Sequence, residues 1–147
     1  MSARIVRVAD NLPGAFETLR SEAELEGVRN MTRLQADWHS GKQRFVSPEG
    51  LFAAFVENEL AGVGGVVTEQ NTEAHAMRMS RLFVRPAFRR QGIGRALATA
   101  MIDHAADQVP ILTVNAKASD AAAPFWQSLG FQAVSHDKYT HTFIRER

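Results

Sequence analysis

The stretch Arg89-Arg90-Gln91-Gly92-Ile93-Gly94-Arg95 concentrates more chemistry than any other part of the sequence. It lies between the end of an apolar run and the start of a helical repeat. The first-turn amides of a helix have no intrahelical acceptor and point outward at the positive end of the helix dipole. Glycines at 92 and 94 remove the side chains that would keep a phosphate from those amides. Six arginines (78, 81, 85, 89, 90 and 95) fall within eighteen residues, and no Asp or Glu occurs from Ala74 through Ile102. A polyanion is the natural ligand. A Walker-A loop needs Gly-Lys-Ser/Thr after its glycines, whereas Gly94 is followed by Arg95-Ala96, which disfavours a nucleoside-triphosphate site. The dinucleotide fingerprint wants a third Gly or Ala where Leu97 stands. The plainer alternative is a helix start that uses glycine for tight packing, with its arginines on a solvated face.

Tyr139, the only tyrosine, and His141 stand at i and i+2 and would share one face of a last strand. Together they carry a phenol and an imidazole, groups suited to acid–base work, with sheet-face packing as the alternative for Tyr139. Arg33, Trp38 and Arg44 fall within residues 28–50 and are candidates for binding a substrate. They could clamp an acidic or aromatic acceptor, or serve as ordinary surface residues. Glu57 and Glu59 read as solvated turn residues. His104 lies on an apolar stripe, and His39, His75 and His136 fall in loops, so the histidines make no metal-ligand set. There is no cysteine, which excludes disulfides, thiolate zinc sites and Cys nucleophiles.

The elements that must position these groups follow from periodicity. Ile5, Val6 and Val8 predict a strand ending at Asp10-Asn11, two good helix N-caps. Phe16, Leu19 and Ala23 recur at helical spacing, and Val28, Met31, Leu34, Gln35 and Trp38 continue the period into a second helix. Ser40-Gly41 stops it. Residues 51–56 and 60–67 predict a hairpin about Glu57-Asn58-Glu59. Residues 77–84 predict a strand stopped by Arg85-Pro86. Ile93, Ala96, Leu97, Ala100, Met101, His104 and Ala105 give the clearest amphipathic helix. A short strand over 111–114, a helix over 121–129 closed by Gly130, and strands over 131–134 and 139–144 complete the chain. The order is β-α-α-β-β-β-α-β-α-β-β, a mixed α+β fold with helices packed on one sheet.

At this point the sequence resembles a family. Leu82-Phe83-Val84-Arg85-Pro86-Ala87-Phe88, continued by residues 89–97, is similar to the acyl-CoA-binding signature of the GNAT superfamily of N-acetyltransferases. Ala122-Ala123-Pro124-Phe125-Trp126-Gln127-Ser128-Leu129-Gly130-Phe131 is similar to that family's Ala-x-x-Phe-Tyr-x-x-Leu-Gly-Phe segment. The element order agrees over essentially the whole chain. The resemblance implies a mostly antiparallel sheet of about seven strands with one splayed parallel pair. It implies that the amides of Arg89, Arg90, Gln91, Gly92, Ile93, Gly94 and Arg95 hold the pyrophosphate of coenzyme A. It also implies that Leu82, Phe83 and Val84 pair with the pantetheine arm, and that an amide near Val84 faces the thioester oxygen. Phe125 and Trp126 would complete the cofactor site. Ser119 stands where the family often has an Asn cofactor contact. Trp126 stands where the family commonly has a Tyr that protonates the departing thiolate, and an indole N–H has no usable acidity. Tyr139 and His141 are therefore the candidate acid–base pair.

The expected activity is acetyl transfer from acetyl-CoA to a primary amine by direct attack, with an acyl-CoA-binding sensor lacking turnover as the alternative. Composition is compatible with both. The 147 residues suit one domain spanning 1–147, with 45% hydrophobic and 22% charged residues. Lys and Arg number 17 against 16 Asp and Glu, a net charge of +1 that argues against a nucleic-acid partner. No apolar run approaches the ~18 residues of a membrane span. The expectation is a cytoplasmic monomer or homodimer that takes a small-molecule or peptide amine and holds no metal.

Overall fold

The computed structural model describes residues 3–145. Strand β1 (Arg4–Val8) is followed by helices α1 (Phe16–Leu25) and α2 (Asn30–Ser40) and strands β2 (Gly50–Val56), β3 (Glu59–Thr68) and β4 (Ala76–Val84). A 3-10 turn (Pro86–Phe88) leads into α3 (Ile93–Ala106), then β5 (Ile111–Val114), α4 (Ala122–Ser128), β6 (Gln132–Ala133) and β7 (His141–Ile144). The order is the one the periodicity predicts. One seven-stranded sheet runs β1-β2-β3-β4-β5-β7-β6, antiparallel except where β4 meets β5.

Alternation along β2 divides the core. Leu51 and Ala53 face Phe16, Leu19, Met31, Leu34 and Trp38 of α1 and α2. Ala54 and Val56 point the other way, onto Ile93 and Leu97 of α3. Successive strand side chains leave opposite faces, so one apolar strand serves both layers. Farther along, Met101, Ile102 and Ala105 of α3 close over Val66, Met77, Met79 and Leu112, beside Trp126.

Three boundaries differ from the periodicity. Helix α1 begins at Phe16 rather than behind Asp10-Asn11, because the Phe16 amide donates to the Pro13 carbonyl at 2.9 Å and closes a turn first. Helix α2 begins at Asn30, since the Val28 amide is spent on the Ala23 carbonyl at the end of α1. The last strand begins at His141, so Tyr139 lies in the loop before it.

The feature that makes a site is where the parallel pair stops. The β4–β5 ladder ends at Met79 opposite Val114. Strand β4 stays on β3 but bulges: Ser80 pairs with Gly65 and Phe83 with Val63, leaving Gly64 opposite both Arg81 and Leu82. Arg81 takes φ +58°, a left-handed conformation that glycine usually fills in such bulges. The bulge and the departure of β5 open a gap between two neighbouring strands.

Candidate active site

A cleft of about 580 Å³ occupies that gap and runs to the N-terminus of α3. Its walls include Met79, Ser80, Arg81, Leu82 and Val84 from β4, and Val114 and Asn115 beyond β5. Arg89, Arg90, Gly92, Ile93, Gly94 and Arg95 line the end at α3, and Ser119, Phe125 and Trp126 line the α4 side. Arg90 (φ +64°) and Gly92 (φ +78°) both take left-handed conformations and turn the chain sharply into α3. The first intrahelical bond is donated by Ala96 to Gly92, so the amides of residues 93–95 are the unspent donors of the first turn. A Cβ built on Gly94 would stand 3.6 Å from Val84 Cγ2 and 3.9 Å from the Phe125 ring. Any larger side chain there enters the cleft.

The arginines divide into two groups. Arg85 is held by both Glu22 oxygens at 2.8 and 3.0 Å, and Arg89 by both Glu26 oxygens at 2.6 and 2.9 Å. These pairs fasten α1 to the segment that leads into α3. Hydrogen bonds from the arginines hold both glutamate carboxyls below the usual carboxylate range, and the glutamates raise Arg85 and Arg89 in return. Arg78 donates to Glu69 at 2.7 Å and to the Lys138 carbonyl at 2.8 Å. Half of the cluster is therefore already neutralised. Arg90 has no partner among the described residues, Arg95 meets only the Ser128 hydroxyl at 3.2 Å, and Arg81 has Asp37 no nearer than 3.9 Å.

The sequence from 19 to 144 matches the acetyltransferase (GNAT) domain family. The chain belongs to the GNAT acetyltransferase family. A protein from Exiguobacterium sp. 255-15 described as an acetyltransferase is 28% identical, with a TM-score of 0.85 over 98% of this chain and 94% of that one. Ard1 from Thermoplasma volcanium is 18% identical and shares the fold over the whole of both chains, with a TM-score of 0.73. A GNAT family acetyltransferase from Elizabethkingia anophelis with acetyl-CoA bound is 14% identical, with a TM-score of 0.68 over 97% and 98% of the two chains. No curated protein matches the sequence.

Within this GNAT acetyltransferase the cleft gathers Leu82, Val84, Arg89, Arg90, Gly92, Ile93, Gly94, Arg95, Ser119, Phe125 and Trp126. Phe83 points away, buried in the α1–α2 core, because it follows Leu82 on the alternating face. Gln91 is exposed and outside the cleft wall. Trp126 packs edge-on between Phe125 and Phe131, each centroid 5.2 Å away.

The acid–base and acceptor expectations fare differently. Tyr139 stacks on His136 at 3.9 Å and lines no part of the cleft. His141 is buried with both ring nitrogens engaged: Nδ1 meets Thr140 Oγ1 at 2.7 Å and Nε2 meets Gln127 Nε2 at 3.1 Å. A ring protonated on Nδ1 donates to Thr140 and accepts from Gln127, which ties β7 to α4. The two residues do not share a strand face. Trp38 is buried in the core, and Arg44 stacks over it at 5.5 Å and donates to its carbonyl, so neither reaches the cleft. Arg33 is exposed on α2, outside the cleft wall.

Two features escape sequence reading. Glu69, just past β3, is buried and accepts from Thr113 at 2.6 Å, Arg78 at 2.7 Å and Asn71 at 2.9 Å. Burial raises its carboxyl, but the hydrogen bonds from Arg78, Thr113 and Asn71 prevail and lower it from 4.5 to about 2. Such a group is a clamp, not a base. Asn30, the first residue of α2, lines the cleft with a buried Oδ1 that has no hydrogen-bond partner among the described residues. Nothing in its sequence neighbourhood marks it.

Proposed function

We propose that this chain transfers acetyl from acetyl-CoA to a primary amine by direct attack. The observation that carries the reading is the position of Gly94: its missing side chain keeps open a path between Val84 and Phe125 to unspent helix amides. Arg90 and Arg95 stand beside those amides with their charge uncommitted to carboxylates. That arrangement fits a pyrophosphate. The unpaired edge of β4 beyond Met79 fits an extended amide-bearing arm as an added strand.

When bound, acetyl-CoA supplies an activated acyl group as its thioester. The chain's own residues orient it and exclude water. Phe125, Trp126, Met79 and Val114 wall the cleft with apolar surface near the point where the strands part. Among the described residues the wall carries no Asp, Glu, His, Tyr or Lys. An amine of ordinary pKa near 10.4 costs about 4 kcal/mol to deprotonate at pH 7, and no wall residue is a base for it. Proton removal then falls to water.

Thiol release from acetyl-CoA with a panel of amines, together with calorimetric titration of acetyl-CoA, tests this reading. Binding with amine-dependent thiol release is expected. Binding without turnover on any amine would favour the sensor reading, for which the acid–base-free wall is the supporting observation.

A further inference from the structure

The cleft carries positive charge at two separated places, and coenzyme A accounts for one. Arg90 and Arg95 stand at the helix end, where phosphates fit. Arg81 stands on the bulge where β4 and β5 part. The reacting end of an acetyl thioester is neutral, so nothing in the acyl donor calls for a guanidinium there. Arg81 is also poorly satisfied by the protein. Its side chain keeps 26% of its exposure, and its only carboxylate partner among the described residues, Asp37, lies at 3.9 Å, beyond hydrogen-bonding distance. Burial disfavours its charge, and although Asp37 opposes this, Arg33 adds to it.

Residues 30, 33 and 37 recur at helical spacing on α2, and all three bear on this corner. Asn30 brings an unpartnered buried oxygen, Arg33 a second positive charge, Asp37 the distant carboxylate. Ser80 and Arg81 form the partition between the cleft and a neighbouring depression that also contains Asp37, Lys42 and Gln43. A half-buried guanidinium with no hydrogen bond among the described residues, in the same cleft as an unfilled amide oxygen, suits a ligand offering both an anion and an N–H donor.

We infer that the acceptor is an amine that also bears a carboxylate, gripped by Arg81 with Asn30 Oδ1 receiving its N–H. This rests on the acetyl-transfer reading and narrows it to amino-acid-like acceptors. The planar guanidinium fork matches a carboxylate in two-point contact, which a lysine would not reproduce.

The test pairs each of a panel of free amino acids with its carboxamide and with the corresponding decarboxylated amine. The parent protein is expected to acetylate at least one free acid with kcat/KM more than tenfold above its amide and amine. Arg81→Gln should erase that preference, mainly through KM, while calorimetry shows acetyl-CoA bound within twofold of the parent. Arg81→Lys should restore part of the preference, which a merely structural role would not. Thermal melts establish that each variant is folded, and Asn30→Ala gives a second reading should Arg81→Gln unfold. It should weaken the preferred acid severalfold. A phosphate-bearing amine preferred over every carboxylate would overturn the carboxylate assignment. Equal use of acid and amide, or turnover of none, overturns the acceptor inference while leaving intact any acetyl-CoA binding that is measured. Loss of acetyl-CoA affinity in Arg81→Gln would reassign Arg81 to the donor. Failure of the parent to bind acetyl-CoA would remove both readings together.

Discussion

Gly92 and Gly94 are two residues apart and do different work. Gly92 sits at φ +78°, so any L side chain there strains the turn into α3. Gly94 has no such constraint, and its Cβ would meet Val84 and Phe125 only at ordinary contact distances. Gly94→Asp should therefore fold while placing a carboxylate where phosphate is expected. We expect acetyl-CoA affinity to fall at least a hundredfold, about 2.7 kcal/mol, by calorimetry. Binding within a few-fold of the parent would mean that the cradle is misplaced. Tyr139 gives the complementary test. It stacks on His136 away from the cleft, so Tyr139→Phe should leave turnover within twofold, whereas loss of a true general acid costs about 10²–10⁴. With no acid or base among the described residues of the cleft wall, log kcat/KM should climb roughly one unit per pH unit up to the pKa of the acceptor amine. A plateau setting in near neutrality would reveal a protein base.

Elements are held in register around the gap by Glu69, which links the end of β3 to Arg78 on β4 and Thr113 on β5. Arg78 and Thr113 are partners in the parallel ladder just before the strands part. The folded protein holds the Glu69 carboxyl at about 2 against an ordinary 4.5. Its contribution is therefore complete above about pH 5.5 and drains away as pH falls from 4.5 toward 2. At about 1.4 kcal/mol per unit, it amounts to about 3 kcal/mol near neutrality. Glu69→Gln should destabilise the protein by about 2–4 kcal/mol at pH 7 in urea melts. The gap from the parent should narrow by about 2 kcal/mol at pH 3. A gap independent of pH would mean that packing, not charge, holds this corner. The strand signals around Glu69 were legible because apolar runs at 60–67 and 77–84 announce β3 and β4. The clamp was not, because a Glu in a polar loop looks the same whether it is solvated or folded onto an arginine nine residues on. The same limit hid the fate of Tyr139 and His141. Their spacing promised a shared face, but the strand starts only at His141, where pairing with Val114 begins. The turn into α3 was legible for the opposite reason: it is local, a loop and a helix start written in consecutive residues.

Across the whole molecule, the arginine-rich segment carries less free charge than its composition suggests. Six arginines in eighteen residues, with no acidic residue among them, read as a site for a polyanion. In the fold, Glu22 of α1 and Glu26 just past its end reach across to Arg85 and Arg89, and Glu69 takes Arg78. The acidic residues absent from 74–102 are thus supplied from outside that segment, and Arg90 and Arg95 remain beside the start of α3 on the cleft wall. Salt screens such exposed interactions over about 8–10 Å, so acetyl-CoA affinity should weaken severalfold between low and high ionic strength. Arg90→Ala and Arg95→Ala should each cost about tenfold in affinity at low salt and flatten that dependence. Arg89→Ala should leave the salt dependence in place and lower the melting temperature instead, because it unfastens α1. Glu26→Gln separates the two roles most sharply. It frees Arg89 at the edge of the cleft, at a stability cost of about 1 kcal/mol or less for a part-exposed pair. Acetyl-CoA binding should then become more salt-sensitive than in the parent, and titrations at two ionic strengths would show it. An unchanged salt dependence in Glu26→Gln would mean that the Arg89 side chain lies beyond reach of the phosphates even when free. The charge on the donor would then be met by Arg90, Arg95 and the helix amides alone.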